Sequence, residues 1–293
     1  SVNASFLVDG ERMEKELSVF SAPFIVFTNE SQWEESEAYL LRRNCFMDGA
    51  GAAGDHYAVP FPWFANYLQL HFLRSTRQDP YHPDRALSVH DINYIAQTKF
   101  GGKKAITPAD FDSFFEWFGK VLRKIRHKQN FRSIWSKGLV YGFIGRAAAE
   151  RLLQGRPSGT FVVRFSEHQN GFIVITSVHD SVPSQTGAKQ DDEDRVFRHF
   201  LVAPDKDRLL KVIRQIPVYK VVVKVNTQFT SDLNHTAEYL DKNVAFEEDY
   251  PKEEVFQDVQ GEYILDNKII MELPCSCQRS NLKASAMFFS PTD

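Results

Sequence analysis

Cysteine is scarce in this 293-residue chain: Cys45, Cys275 and Cys277 are the only three. Two of them form a C-x-C too close for easy bridging, so a disulfide framework is not expected and a reduced, intracellular setting is. Long apolar runs are missing as well. None approaches the ~20 residues that span a bilayer, so no membrane role is expected. Neither charge dominates: 35 Lys and Arg against 38 Asp and Glu leave a formal net charge of −3. That balance argues against a protein that coats nucleic acid through overall charge, although local patches remain open. The chain opens with neither Met nor a signal peptide, which reads as a fragment or processed form.

Catalytic signatures are also absent. The chain has no G-x-x-x-x-G-K-[ST], no H-R-D or D-F-G, no H-E-x-x-H and no G-x-S-x-G, and "FGGKKAIT" has the wrong spacing for a phosphate loop. "GAGAAG", Gly49 to Gly54, fits G-x-G-x-x-G formally. No β run precedes it, and Pro60 and Pro62 follow in place of a phosphate-binding helix, so it reads as a loop. His127, His199 and His235 stand alone, each a surface or core histidine rather than a metal ligand. The expectation is a protein that is not an enzyme, with no cofactor and no metal.

What is plentiful is aromatic: 25 Phe in a chain that is 43% hydrophobic, enough for a sizeable core and for two domains of ordinary size. "VFSAPFIVFT", residues 19–28, reads as an edge strand of a preceding β domain. "NESQWEESEAYLLRRN" reads as a helix capped by Asn29 or Ser31. From Trp63 to Trp135 the spacing is helical: "WFANYLQLHFL", then "SVHDINYIAQTKF" capped by Ser88, then "TPADFDSFFEWFGKVLRKIRHK". The third has Thr107 as cap, Pro108 at the first helical position and Asp110 in the first turn. Its Phe111, Phe114, Phe115 and Phe118 recur at helical spacing and read as core. "KVLRKIRHKQNFRSIWSK" carries seven Lys and Arg and no acid. A solvated face with cations at a helix C-terminus is the stronger reading. Contact with a nucleic-acid backbone through Lys124, Arg126 and Lys128 is the alternative.

After Gly145 the pattern changes. "RAAAERLL" reads as a short helix; "TFVVRFSE" and "GFIVITSV" read as strands of a hairpin turned by "HQN". "VPSQTGAKQDDEDR" reads as a polar loop, "VFRHFLV" and "YKVVVKV" as further strands, and "TSDLNHTAEYLD" as a second helix capped by Thr230 or Ser231. A sheet between two helices is an α+β sandwich.

Within "GTFVVRFSEH" the charged Arg164 interrupts a run that otherwise reads as a buried strand. A guanidinium stays charged, and burying it without an anion costs on the order of several kcal/mol. Arg164 pairs either with an internal carboxylate, Glu150 or Glu167, or with an anion from outside. Arg146, 18 residues upstream, begins a helix that can cross the sheet beside it. Ser166 shares its strand face, and Glu167, His168, Gln169 and Asn170 form a polar turn with donor N–H groups. Two arginines, a hydroxyl and turn amides suit a tetrahedral dianion. The residues alone leave the two alternatives open.

"GTFVVRFSE" resembles the phosphotyrosine-binding core of a Src-homology-2 (SH2) domain, and "WSKGLVYGFIGRAAAERLLQGRPSGTFVVRFSE" resembles its form in the STAT family, the signal transducers and activators of transcription. "PFIVFTNESQW" is similar to the end of that family's DNA-binding β domain, "FPWFANYLQLHF" through "WSKG" to its helical linker, and "DYPKEEVF" to the segment that closes its SH2 domain. The resemblance implies an α+β chain with residues 1–28 from a DNA-binding domain, 29–138 a helical linker, 139–258 an SH2 domain (an antiparallel sheet flanked by two helices), and 259–293 a phosphotyrosine tail. It implies phosphotyrosine binding by Arg164, Arg146, Ser166, Glu167 and His168, the last standing where the family usually has a small polar residue. Tyr263 in "QGEYILDN" reads as an ordinary aromatic on a short strand over "EYILDNKII" or, as the resemblance implies, as the phosphorylation site, with phosphotyrosine peptides of an activated receptor or kinase as partners. The resemblance also implies a homodimer or a related chain as partner, DNA contact through a domain outside this chain, and a place in cytoplasm and nucleus. An SH2 adaptor that has lost DNA binding is the alternative. Residues 181–228 match the family poorly.

Overall fold

The computed structural model describes residues 2–8, 11–17, 24–46, 58–180, 195–203, 208–226, 237–247, 249, 261–265 and 268–272. "GAGAAG", most of "VPSQTGAKQDDEDR" and "PKEEVF" lie outside them.

Strands β1 (Val2–Val8) and β2 (Glu11–Leu17) pair as an antiparallel hairpin that the sequence reading did not anticipate. The expected edge strand over 19–28 does not form where it is described: residues 24–27 have no regular structure, and Phe24 and Val26 are exposed. With no neighbouring strand among the described residues to take its backbone groups, an apolar run is not a strand.

Helix α1 (Trp33–Phe46) follows a 3-10 turn capped by Asn29, and β3 (Val59–Pro60) leads into α2 (Phe61–Ser75). Helix α3 (Val89–Tyr94) starts at a capping box in which Ser88 and Asp91 satisfy each other's backbone N–H, and it runs into a π-helical turn over Ile95–Lys99. After β4 (Ala105–Ile106), which pairs with β3, comes α4 (Pro108–His127). Its Thr107 and Asp110 form a second capping box with Pro108 at the start, as the sequence indicates. Phe111, Phe114, Phe115 and Phe118 are all buried. Helix α5 (Gln129–Ser136) closes the helical half.

Helix α6 (Arg146–Leu153) precedes β5 (Thr160–Phe165), β6 (Ile173–Asp180) and β7 (Arg195–Val202). Helix α7 (Arg208–Gln215), β8 (Val221–Val225), β9 (Ala237–Asp241) and the short α8 (Lys242–Phe246) follow, then β10 (Gly261–Leu265) and β11 (Lys268–Glu272). The sheet order is β11-β10-β7-β6-β5-β8-β9, mostly antiparallel, with β5 and β8 parallel. The chain is therefore α+β: a helical region, then a sheet with α6 and α7 beside it. The expected helix over "TSDLNHTAEYLD" is corrected: Ala237–Asp241 is an edge strand against β8, and the helix is α8, capped by Asp241. Pairing with Val221–Val225 outweighed the local capping signal. α7 was not singled out in the sequence, although Leu209, Leu210, Val212 and Ile213 recur at helical spacing and are buried.

β5 is buried along its whole length because it lies between two strands with side chains packed on both faces. Phe161, Val163 and Phe165 join the larger core, and Val162 joins a second one that includes Ala149 and Leu153 of α6. The larger core is continuous between helices and sheet: Phe143 stacks near Phe165 at 5.0 Å and Phe118 at 6.2 Å. Arg85 fixes the crossing. Its guanidinium lies 3.7 Å over Trp135 and donates to the carbonyls of Trp135, Val140 and Tyr141 at 3.0, 2.6 and 3.0 Å. Burial lowers its pKa to about 10, against the opposing pull of Asp91 and Tyr141.

Candidate functional site

Register decides what Arg164 meets. It pairs with Val174 across β5 and β6, and Thr176, two residues on, pairs with His199 of β7. Arg164, Thr176 and His199 therefore share one sheet face, the face that α6 covers. Arg164 is 4% exposed. Its Nε donates to Thr176 Oγ1 at 3.3 Å, and Nη1 reaches the Phe165 carbonyl at 3.5 Å. No carboxylate among the described residues lies within ion-pair distance of it. Neither internal partner that the sequence suggested pairs with it. Burial lowers its pKa, with Glu167, Tyr94 and Glu150 acting the other way and Arg146 adding to the fall.

Glu150 is engaged elsewhere. Arg146 Nε and His199 Nε2 both reach its Oε1 at 2.9 Å, and His199 Nδ1 lies 3.0 Å from Thr176 Oγ1. One proton arrangement satisfies the whole chain: Arg164 donates to Thr176, Thr176 to His199, and neutral His199 to Glu150. Burial, then Arg146, lowers the His199 pKa to about 4, which keeps the ring neutral as that arrangement requires. Burial opposes the Glu150 carboxylate, and donation from Arg146 and His199 outweighs it, so its pKa lies below the ordinary value.

The loop after β5 supplies the third side. Ser166 N–H donates to the Phe172 carbonyl at 3.0 Å, and Ser166 Oγ accepts from Gln169 N–H at 3.1 Å. Among the described residues, the N–H groups of Glu167 and His168 have no acceptor. The Glu167 carboxylate turns away toward the start of α6, where Arg146 N–H reaches it at 3.5 Å. Gly145 makes the room: a Cβ there would stand 2.6 Å from Glu167 Oε1. His168 is exposed at the tip.

The structure thus brings Arg164, Arg146, Ser166 and Glu167 together, with His168 at the rim. Sequence reasoning missed Thr176 and Tyr94 and dismissed His199; the period-two spacing of Arg164, Ser166 and Thr176 on paired strands was the available signal. Tyr263 lies in β10, whose backbone runs beside β7 with Tyr263 opposite Phe200 and Ile264 opposite His199. Of the basic positions, Arg126 is turned inward: it donates to the Ser75 carbonyl at 2.7 Å and lies 5.3 Å from the Trp33 ring. Lys124 Nζ lies 5.6 Å over Phe131, and Lys128 is exposed just past α4.

The SH2 domain family matches residues 140–214, and an EF-hand fold domain family matches residues 29–128. The latter segment has no D-x-[DN]-x-[DN]-G calcium loop. The chain is thus an SH2-domain protein, with a helical region before that domain. It is similar to two proteins of Dictyostelium discoideum. Signal transducer and activator of transcription B is 40% identical over 158 residues, 54% of this chain and 13% of that protein. Signal transducer and activator of transcription A is 37% identical over 185 residues, 63% of this chain and 24% of that protein. The matched residues are similar to a STAT-family segment with an SH2 domain, and the chain spans less than a quarter of the length of these relatives.

Proposed function

We propose that this chain is the linker and SH2 portion of a STAT-like latent transcription factor, and that it binds phosphotyrosine and does not catalyse. The observation that carries the reading is Arg164: 4% exposed, and without a carboxylate at ion-pair distance among the described residues. A buried guanidinium in that state is poised for an external anion. A phosphotyrosine brings about two negative charges and three acceptor oxygens. Arg164 supplies the planar fork and Arg146 the second charge, while Ser166 Oγ and the N–H groups of Glu167 and His168 supply further donors.

Tyr263 is the proposed phosphorylation site, and activated receptors or kinases carrying phosphotyrosine are the proposed partners. β10 in its own chain already pairs with β7 next to His199, so the edge of β7 accepts this segment. Exchange of phosphorylated β10 segments between two chains makes each contact twice in a two-fold dimer. DNA contact through a domain beyond this chain, and movement between cytoplasm and nucleus, complete the reading. The test mixes a phosphorylated Arg164→Ala chain with a Tyr263→Phe chain, which keeps one intact contact. Sedimentation at micromolar concentration should show a strong dimer for the phosphorylated wild type, a much weaker mixed dimer, and none for phosphorylated Arg164→Ala alone. A phosphorylated wild type that stays monomeric, or an Arg164→Ala chain that dimerises equally well, refutes the exchange.

A further inference from the structure

The loop after β5 is held from outside the sheet. Trp117 Nε1, on α4, donates to the Ser166 carbonyl at 2.8 Å. Lys99 Nζ, at the end of the π-helical turn, donates to the Glu167 carbonyl at 2.6 Å and lies 4.0 Å over the Trp117 ring. Tyr94, the last residue of α3, borders the same Gly145 notch as the Glu167 carboxylate and lies within the fields of Glu167 and Arg164. Burial first, then the Glu167 charge, push its pKa well above the usual phenol value, so it remains a neutral hydroxyl. Donors from two helical elements, the π turn and α4, thus converge on the carbonyls of two consecutive residues of the loop. A π turn is a costly local irregularity, found most often where a helix must place a particular side chain. Here it carries Lys99 to the loop.

Cementing the two halves together does not need these contacts, since the aromatic core from Phe118 through Phe143 to Phe165 and the Arg85 clamp already do so. The hydrogen bonds matter for where they leave the Glu167 carboxylate. That charge acts on Arg164, and it sits in the notch at Gly145 beside Arg146 N–H. A carboxylate free to swing would pair with Arg164 and compete with an incoming phosphate. Lys99 and Trp117 fix the loop backbone on either side of Glu167, and the Tyr94 phenol stands within the field of its carboxylate.

We propose that Tyr94, Lys99 and Trp117 are positioning residues of the phosphate site, through which the helical region sets the affinity of the SH2 pocket by holding Glu167 away from Arg164. This rests on the reading of Arg164 as the phosphate ligand. It deepens that reading by making the site a composite of both halves of the chain. By linkage, phosphate occupancy biases the α3–α4 contacts to the same extent.

The test uses the full chain and a synthetic peptide of residues 260–267 phosphorylated at Tyr263, with affinity read by calorimetry. Tyr94→Phe and Lys99→Met should each weaken binding by about five- to thirtyfold while the unfolding transition stays in place. Repeated in a Glu167→Gln background, Tyr94→Phe should change affinity by less than about twofold, because the competing charge has gone. In the unmodified background, the Trp117 indole N–H resonance, assigned through Trp117→Phe, should shift as the phosphopeptide is added. Wild-type affinity in both single variants, with binding abolished by Arg164→Ala, overturns this inference alone. An equal loss for Tyr94→Phe with and without Glu167→Gln overturns the route through the carboxylate. Unchanged affinity in Arg164→Ala overturns the phosphate reading itself.

Discussion

Among single residues, the buried histidines set how the protein responds to acid. His71, His179 and His199 are 4%, 7% and 2% exposed, and burial is the largest cause of their depressed pKa values, about 3, 4 and 4. Each folded-state value lies below the ordinary 6.5, so the unfolded chain binds the extra protons as pH falls. Stability is therefore full above about pH 6.5 and declines toward pH 4, by up to roughly 1.4 kcal/mol per pH unit for each histidine. Thermal unfolding should show a falling midpoint between about pH 7 and pH 5, and a flat midpoint would mean these rings are not held neutral. At this scale much of the site was legible. Arg164 stood out because a charge interrupted an apolar strand, and Arg146 and Ser166 followed from helix and strand spacing, while the family resemblance supplied Glu167. His199 was not legible: its meaning lies in strand pairing with Thr176, and pairing is not written in either strand alone. Tyr94 stands in the field of Glu167 from 73 residues away in sequence (167 − 94), and no local pattern announces it.

Among elements, α4 was legible from local signals, whereas the β1–β2 hairpin and α7 were missed and β9 was misread as helix. The capping box of Thr107 and Asp110 and the Phe stripe define α4 without help from the rest of the chain. Thr107→Ala should cost about 1 kcal/mol in chemical denaturation, because it removes the acceptor for Asp110 N–H at 3.2 Å. β9 is the opposite case: "AEYLD" has the composition of a helix end and becomes a strand only because β8 offers an open edge. The turn into β5 also has a specific requirement. Gly159 has φ of +89°, and a Cβ there would strike the Val218 carbonyl, so Gly159→Ala should destabilise by more than the ~1 kcal/mol of an ordinary exposed glycine substitution.

For the whole molecule, the helices and the sheet share a core, and Arg85, with Asp91 beside it, is a charged side chain buried at their junction. Arg85→Met leaves the Trp135, Val140 and Tyr141 carbonyls without their donor, and should cost roughly 2–5 kcal/mol in urea unfolding. Lys124, Arg126 and Lys128 belong to the same scale. On the proposed reading of DNA contact by the parent protein, neutralising all three is expected to lower the salt dependence of DNA binding without changing the preferred sequence, with the larger share from exposed Lys128. A changed sequence preference would mean that this helix end reads bases. The central claim remains that Arg164 takes a phosphate in its planar fork. Titration calorimetry of Arg164→Lys against the Tyr263 phosphopeptide measures it directly, since lysine keeps the charge and loses the bidentate geometry. A loss of about 2–5 kcal/mol in binding with an unchanged unfolding transition is the predicted result, and wild-type affinity in Arg164→Lys would contradict it.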